Sequence, residues 1–221
     1  MAAMRLIEEL RSEHEVIERA VGALGTYTAL RARGAGTPAD GEGFLRFFRL
    51  FAGSYHHARE EDTLFPALEK HLELPHRTGP LFSLTDQHRR MEATLDEMAP
   101  ALAGDLRTKE EGEALVELFT RYSHTLLVHI DAENSVLLPE SEGRLRQSGV
   151  HELDGRPPTK EELDARAEGE RLVGLYPPSA DLGPIRGEGC VICPSYGTTC
   201  GGLEREWWND SEWDRFSKGR E

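Results

Sequence analysis

Cysteine is scarce in this chain: three residues in 221, all between positions 190 and 200. An odd and clustered set cannot build a disulfide framework. Long apolar runs are missing as well. No stretch reaches the roughly 20 apolar residues that span a bilayer. The opening MAAMRLIEELRSEHE reads as an acidic amphipathic helix, without the basic start and apolar core of a signal peptide. Positive charge is in deficit, with 26 Lys and Arg against 40 Asp and Glu and a net charge of −14. That balance excludes nucleic acid, whose phosphates demand a basic patch, and an anionic membrane surface. The expectation is a cytoplasmic protein kept in solution by its charge. Strand-like alternation is absent from residues 1–139.

What fills that region is helical spacing. A segment over about residues 2–25 sets Leu6, Leu10, Ile17, Val21 and Leu24 on one stripe, with His14 among them. A break, RARGAGTPADGEG, reads as a loop. The second segment, about 40–70, carries Leu45, Phe48, Ala52, His56 and Glu60 along its face. The third, about 79–103, steps through Leu81, Leu84, His88, Met91, Leu95, Met98 and Leu102 at alternating threes and fours, a bundle seam with a histidine at one core position. The fourth, about 108–139, aligns Leu115, Leu118, Tyr122, Leu126, His129, Glu133 and Val136. The expected fold is all-α: an antiparallel up-down-up-down four-helix bundle over residues 1–140. An irregular, Gly/Pro-rich extension over 141–221 follows, with one helix around 159–173 and a Cys/Trp segment.

Two stretches repeat one pattern: His56-x3-Glu60-x3-Leu64-Phe65-Pro66 and His129-x3-Glu133-x3-Leu137-Leu138-Pro139. Residues four apart share a helix face, so each copy points an imidazole and a carboxylate the same way. The proline is expected to end each helix. The pair His57–Glu61 has the same spacing about 100° round the helix. Counting back from the two prolines selects His56 and Glu60, and the shifted register stands as the alternative. Together with His14 and His88, every helix then brings a histidine to the interior. Burying six such groups unpaired costs several kcal/mol each; a metal that takes neutral imidazoles and carboxylates as ligands removes that cost. The mixed nitrogen and oxygen set suits iron, manganese or zinc and disfavours calcium and magnesium. Ferritin-like bundles use Glu-x-x-His, the reverse order with one residue fewer. His124, five residues before His129, is expected at the rim or surface.

With these residues in view, His14, HHAREEDTLFP, His88 and HIDAENSVLLP resemble the hemerythrin-like HHE cation-binding family over about residues 1–139. The resemblance implies two iron ions with His14, His56, His88 and His129 as terminal ligands and Glu60 and Glu133 as bridges. It also implies a small diatomic ligand or peroxide as partner. The chain departs from oxygen-carrying members in having one histidine where they have a His-x3-His pair on the third helix, and Glu133 where they have aspartate. It is closer in this respect to bacterial hemerythrin-like and iron–sulfur repair proteins. The implied function is binding of, or reaction with, O2, NO or peroxide in sensing, storage or protection against oxidative and nitrosative stress. No base, nucleophile or substrate pocket stands out beyond the ligands, so the chain reads as a metal-binding protein rather than an enzyme.

The tail poses a separate question. Cys190-x2-Cys193-x6-Cys200 has thiolates for zinc or iron, the spacing of a redox dithiol, or no role beyond a reduced tail. Trp207, Trp208, Trp213 and Phe216 are expected to pack on the bundle or on a protein partner. The alternative function is therefore an iron-responsive interaction protein that contacts a partner through this tail.

Overall fold

The computed structural model describes residues 4–178 and, further along, 208, 211, 212 and 215. All regular structure among them is helical: α1 (Arg5–Arg31), α2 (Pro38–Arg46), α3 (Phe65–Leu72), α4 (Gly79–Ala103), α5 (Lys109–Ala132), α6 (Leu138–Gln147) and α7 (Lys160–Leu175). Three π-helical stretches, Phe47–His57, Glu60–Leu64 and Glu133–Leu137, join these into longer rods. Residues 38–72 form one continuous rod and residues 109–147 another.

Local chemistry explains the starts. Thr37 accepts from the Asp40 N–H ahead of a proline in the first turn of α2. Thr108 with Glu111 and Thr159 with Glu162 form complete capping boxes at α5 and α7, each contributing about 1 kcal/mol. The α4 seam is buried from Leu81 through Leu102 as its spacing predicts.

The two prolines do not end their helices. Each rod runs on through Pro66 or Pro139, and just before each proline the turn widens. The Phe65 N–H reaches the Glu60 carbonyl and the Leu138 N–H reaches the Glu133 carbonyl, five residues back in both cases. Proline lacks an N–H and its ring crowds the carbonyl four residues earlier. A π turn moves that carbonyl aside and lets the helix continue. The matching Leu-x-Pro endings therefore encode a matching local widening.

Two apolar clusters lie at either end of the interior. Val16, Ile17, Ala52, Tyr55, Met91, Leu127 and Ile130 belong to one, and Leu6, Leu10, Leu64, Phe65, Leu84 and Val136 to the other. His14, His56, Glu60, His88, His129 and Glu133 fall between them along all four rods. Over residues 142–178 the rest of α6 and the whole of α7 make the chain more helical than its composition suggests. Helix α7 lies against α1, α2 and the first π stretch, and a Cβ on Gly169 would come within 2.2 Å of the Phe47 ring. Only glycine permits that approach. Trp208 is also buried, beside Gly79 at the start of α4. Cys190, Cys193 and Cys200 lie outside the described residues.

Candidate metal centre

The side chains of His14, His56, His88, His129, Glu60 and Glu133 converge in one buried layer. His14 Nε2 is 3.2 Å from Glu133 Oε2, and His129 Nε2 is 3.3 Å from the same oxygen. Glu60 points one oxygen each way: Oε1 lies 3.5 Å from His56 Nε2 and Oε2 lies 3.4 Å from His88 Nε2. The donors fall into groups: His14, His56, Glu60 and Glu133; Glu60, His88, His129 and Glu133; and His57, His88 and His129. The first two groups have both carboxylates in common.

His57 is where the structure departs most from helical-wheel reasoning. An α-helix would turn it about 100° away from His56, but it sits at the end of a π stretch, and its imidazole stacks on His88 at 3.9 Å with planes 11° apart. The residue is partly exposed while its Nε2 is buried. Glu61 instead lies outside the donor groups and accepts a hydrogen bond from His88 Nδ1 at 2.7 Å. His124 is exposed.

A second layer fixes the imidazoles. His14 Nδ1 meets Asn134 Oδ1 at 2.8 Å, His56 Nδ1 meets Glu13 Oε2 at 2.9 Å, and His129 Nδ1 meets Gln87 Oε1 at 2.8 Å. With Glu61 at His88, each Nδ1 faces an oxygen acceptor and so carries the proton. Each Nε2 is then a bare lone pair turned inward. Glu13 was missed by sequence reasoning, although it stands three residues after Leu10 on the α1 stripe. Asn134 and Gln87 carry no comparable signal.

The result is an interior of acceptors without donors. Nε2 of His14 and His57 and all four carboxylate oxygens of Glu60 and Glu133 are buried without hydrogen-bond partners. His88 Nε2 and His129 Nε2 face each other at 3.1 Å, a repulsive contact for two lone pairs. With metal–nitrogen bonds of about 2.1 Å, two ligands at right angles on one ion sit about 3 Å apart. The observed separations match such edges, and the residues fit metal binding. Burial pulls His56, His57 and His129 well below the ordinary histidine value and His88 down to about 3. The same burial pushes Glu133 up to about 8, and pushes Glu60 well above its usual range with the nearby Glu133 charge adding to it. Neutral imidazoles and carboxylates that resist ionisation are what a site built for a cation presents in its absence.

A pocket of about 480 Å³ opens beside the centre, walled by Phe48, Met91, Leu95 and Tyr122 and reaching His57 and His88.

Helical rods that bury two carboxylate-sharing donor groups define a metal-binding helical domain. The hemerythrin HHE cation-binding domain model matches residues 5–141, and the chain belongs to that family. It is accordingly a non-haem iron-binding type of protein. Neither the curated proteins nor the solved structures contain a match. Among the described residues no helix is long and apolar enough to cross a membrane.

Proposed function

We propose that the protein holds two iron ions side by side. His14 and His56 serve one, and His57, His88 and His129 serve the other. Glu60 and Glu133 bridge both. The observation that carries this reading is the pair of buried donor groups sharing both carboxylates. The fifth imidazole comes from the second helix and makes up for the histidine that α4 lacks. Four donors on one side and five on the other leave the His14/His56 side less filled. Opposite running is supported by His56–Glu13 with Arg59–Glu9, by His129–Gln87 with Arg121–Glu97, and by Glu61–His88 with Arg49–Asp96, as in an up-down-up-down bundle.

Bound iron supplies open coordination positions and redox equivalents for O2, NO or peroxide. The chain presents the Nε2 lone pairs through Asn134, Glu13, Glu61 and Gln87. It keeps water out with the two apolar clusters, and admits a small molecule by the pocket at His57 and His88. The role is sensing, storage or protection against oxidative or nitrosative stress in the cytoplasm, with iron–sulfur cluster repair as a specific variant. The alternative, an iron-responsive interaction protein, draws on the Cys/Trp tail; removal from about residue 185 separates the two, since loss of a partner with unchanged O2 or NO reactivity would favour the interaction protein.

Elemental analysis with an optical spectrum of the iron-loaded protein tests the reading. The expected result is two irons per chain with near-ultraviolet charge-transfer bands, retained in Glu61→Gln and His124→Ala and reduced in His57→Ala. A folded protein that takes up no iron would overturn it.

A further inference from the structure

Arg59 is among the largest fully buried side chains of the molecule. Its guanidinium donates to Glu13 and Glu9, and to Tyr55 Oη at 2.7 Å. Glu13 in turn accepts from His56 Nδ1. No other imidazole of the centre is backed this way: His14 and His129 face neutral amides, and the Glu61 behind His88 has a side chain 38 % exposed. A buried guanidinium is expensive unless paired; here both terminal nitrogens are paired and Nε is not, and the pairs lead in one step to a metal-facing ring.

The chain after the bundle closes over this arginine. The Leu6 N–H donates to the Leu153 carbonyl at 3.1 Å, and Arg5 pairs with Asp154 at 2.7 Å. Gly155 lies directly on the guanidinium, where an added Cβ would come within 2.5 Å of Arg59 Nε. Arg156 donates to the Ser54 carbonyl at 2.6 Å and lies over the Tyr55 ring at 5.3 Å, the same ring that Arg59 meets at 4.7 Å.

We infer that Arg59 is a positioning residue for the His14/His56 half of the centre, acting through Glu13, and that the 153–156 segment holds it in place. Arg59 holds the Glu13 carboxyl in the orientation that faces His56. Glu13 keeps the proton of His56 on Nδ1 and its Nε2 aimed at the shared carboxylates. The segment downstream of the bundle thereby becomes part of the metal site. This rests on the two-iron reading above.

The test is a competitive chelator titration of the iron-loaded full chain. Second-layer changes of this kind weaken a metal by about 10–100-fold. Arg59→Met is expected to give a biphasic curve in which half of the iron is released 10–100-fold more readily, and Arg59→Lys to restore much of the loss. Gly155→Ala should move in the same direction as Arg59→Met. Arg59→Met combined with Glu13→Gln removes the stranded charge and keeps the test valid if the single variant folds poorly; it too should release half its iron early. In the cobalt-loaded protein the shifted, exchangeable Nδ1–H signal of His56 should broaden in Arg59→Met while those of His14, His88 and His129 persist. Wild-type release curves in folded Arg59→Met, or equal weakening of both ions with a lowered melting temperature, would overturn the inference. A wild-type protein that binds no iron pair would instead overturn the reading beneath it.

Discussion

Replacing Glu133 with glutamine should make the metal-free protein more stable and the iron-loaded protein weaker. In the metal-free fold, burial raises the Glu133 carboxyl from 4.5 to about 8. Between those values the unfolded chain has released this proton and the folded chain retains it. Stability of the metal-free form therefore falls as pH rises from about 4.5 to 8 and levels off above. At 1.36 kcal/mol per unit, the loss accumulated by pH 7 is about 3 kcal/mol. A glutamine has no such proton to hold, and its amide N–H can donate to Glu60. For a chain of this size about 3 kcal/mol corresponds to roughly 6–12 °C in melting temperature. Thermal unfolding of chelator-treated wild type and Glu133→Gln at pH 5 and pH 7 measures this directly. The variant should gain little at pH 5 and about 6–12 °C at pH 7, while iron stoichiometry drops below two per chain. A metal-free variant no more stable than wild type at pH 7 would refute the argument that these carboxylates are buried at a cost only a cation relieves.

Two further outcomes follow from the downstream helix. Gly169→Leu should force α7 off Phe47, costing about 1–3 kcal/mol as overpacking does and opening residues 148–159 to limited proteolysis; unchanged protease resistance would contradict the packing described. The Glu162 carboxyl is held below its ordinary value first by Arg156 and then by the Thr159 N–H. Its contribution, about 1 kcal/mol, is present above pH 4.5 and disappears as pH falls through the lowered folded value. Amide exchange within α7, corrected for intrinsic rates, should therefore loosen in acid in wild type and show no such slope in Glu162→Gln.

Much of the fold and part of the site were legible in the residues. The α4 seam needed only period counting, because Leu81 to Leu102 all face one interior. The His-x3-Glu repeat identified the two histidine–glutamate pairs that meet there, since spacing by four survives in a helix whatever its neighbours do. His57 was legible only as the shifted-register alternative to His56, because its place beside His56 depends on a π turn and wheel geometry assumes an α turn. The two prolines were read as stops, whereas they mark the later π turns at Glu60–Leu64 and Glu133–Leu137. Arg59 stands three residues after His56 on the same face, but a buried arginine looks like any surface charge until its partners on α1 are known. The docking of α7 was hidden for a different reason. Its inward positions Ala165, Gly169 and Leu172 are mostly small, and a face recognised by what it lacks has almost no hydrophobic signature.

The paired π turns have a consequence for how the protein meets its metal. A wide turn in an ordinary helix can slide along the rod by passing its extra residue from one hydrogen bond to the next. Here Pro66 and Pro139 have no N–H to take up the shorter bond, so each wide turn is pinned one residue downstream of the leucine that precedes the proline pair. Both glutamates therefore begin their wide turns at the same phase of their rods, so backbone geometry itself sets the two carboxylates in matching positions.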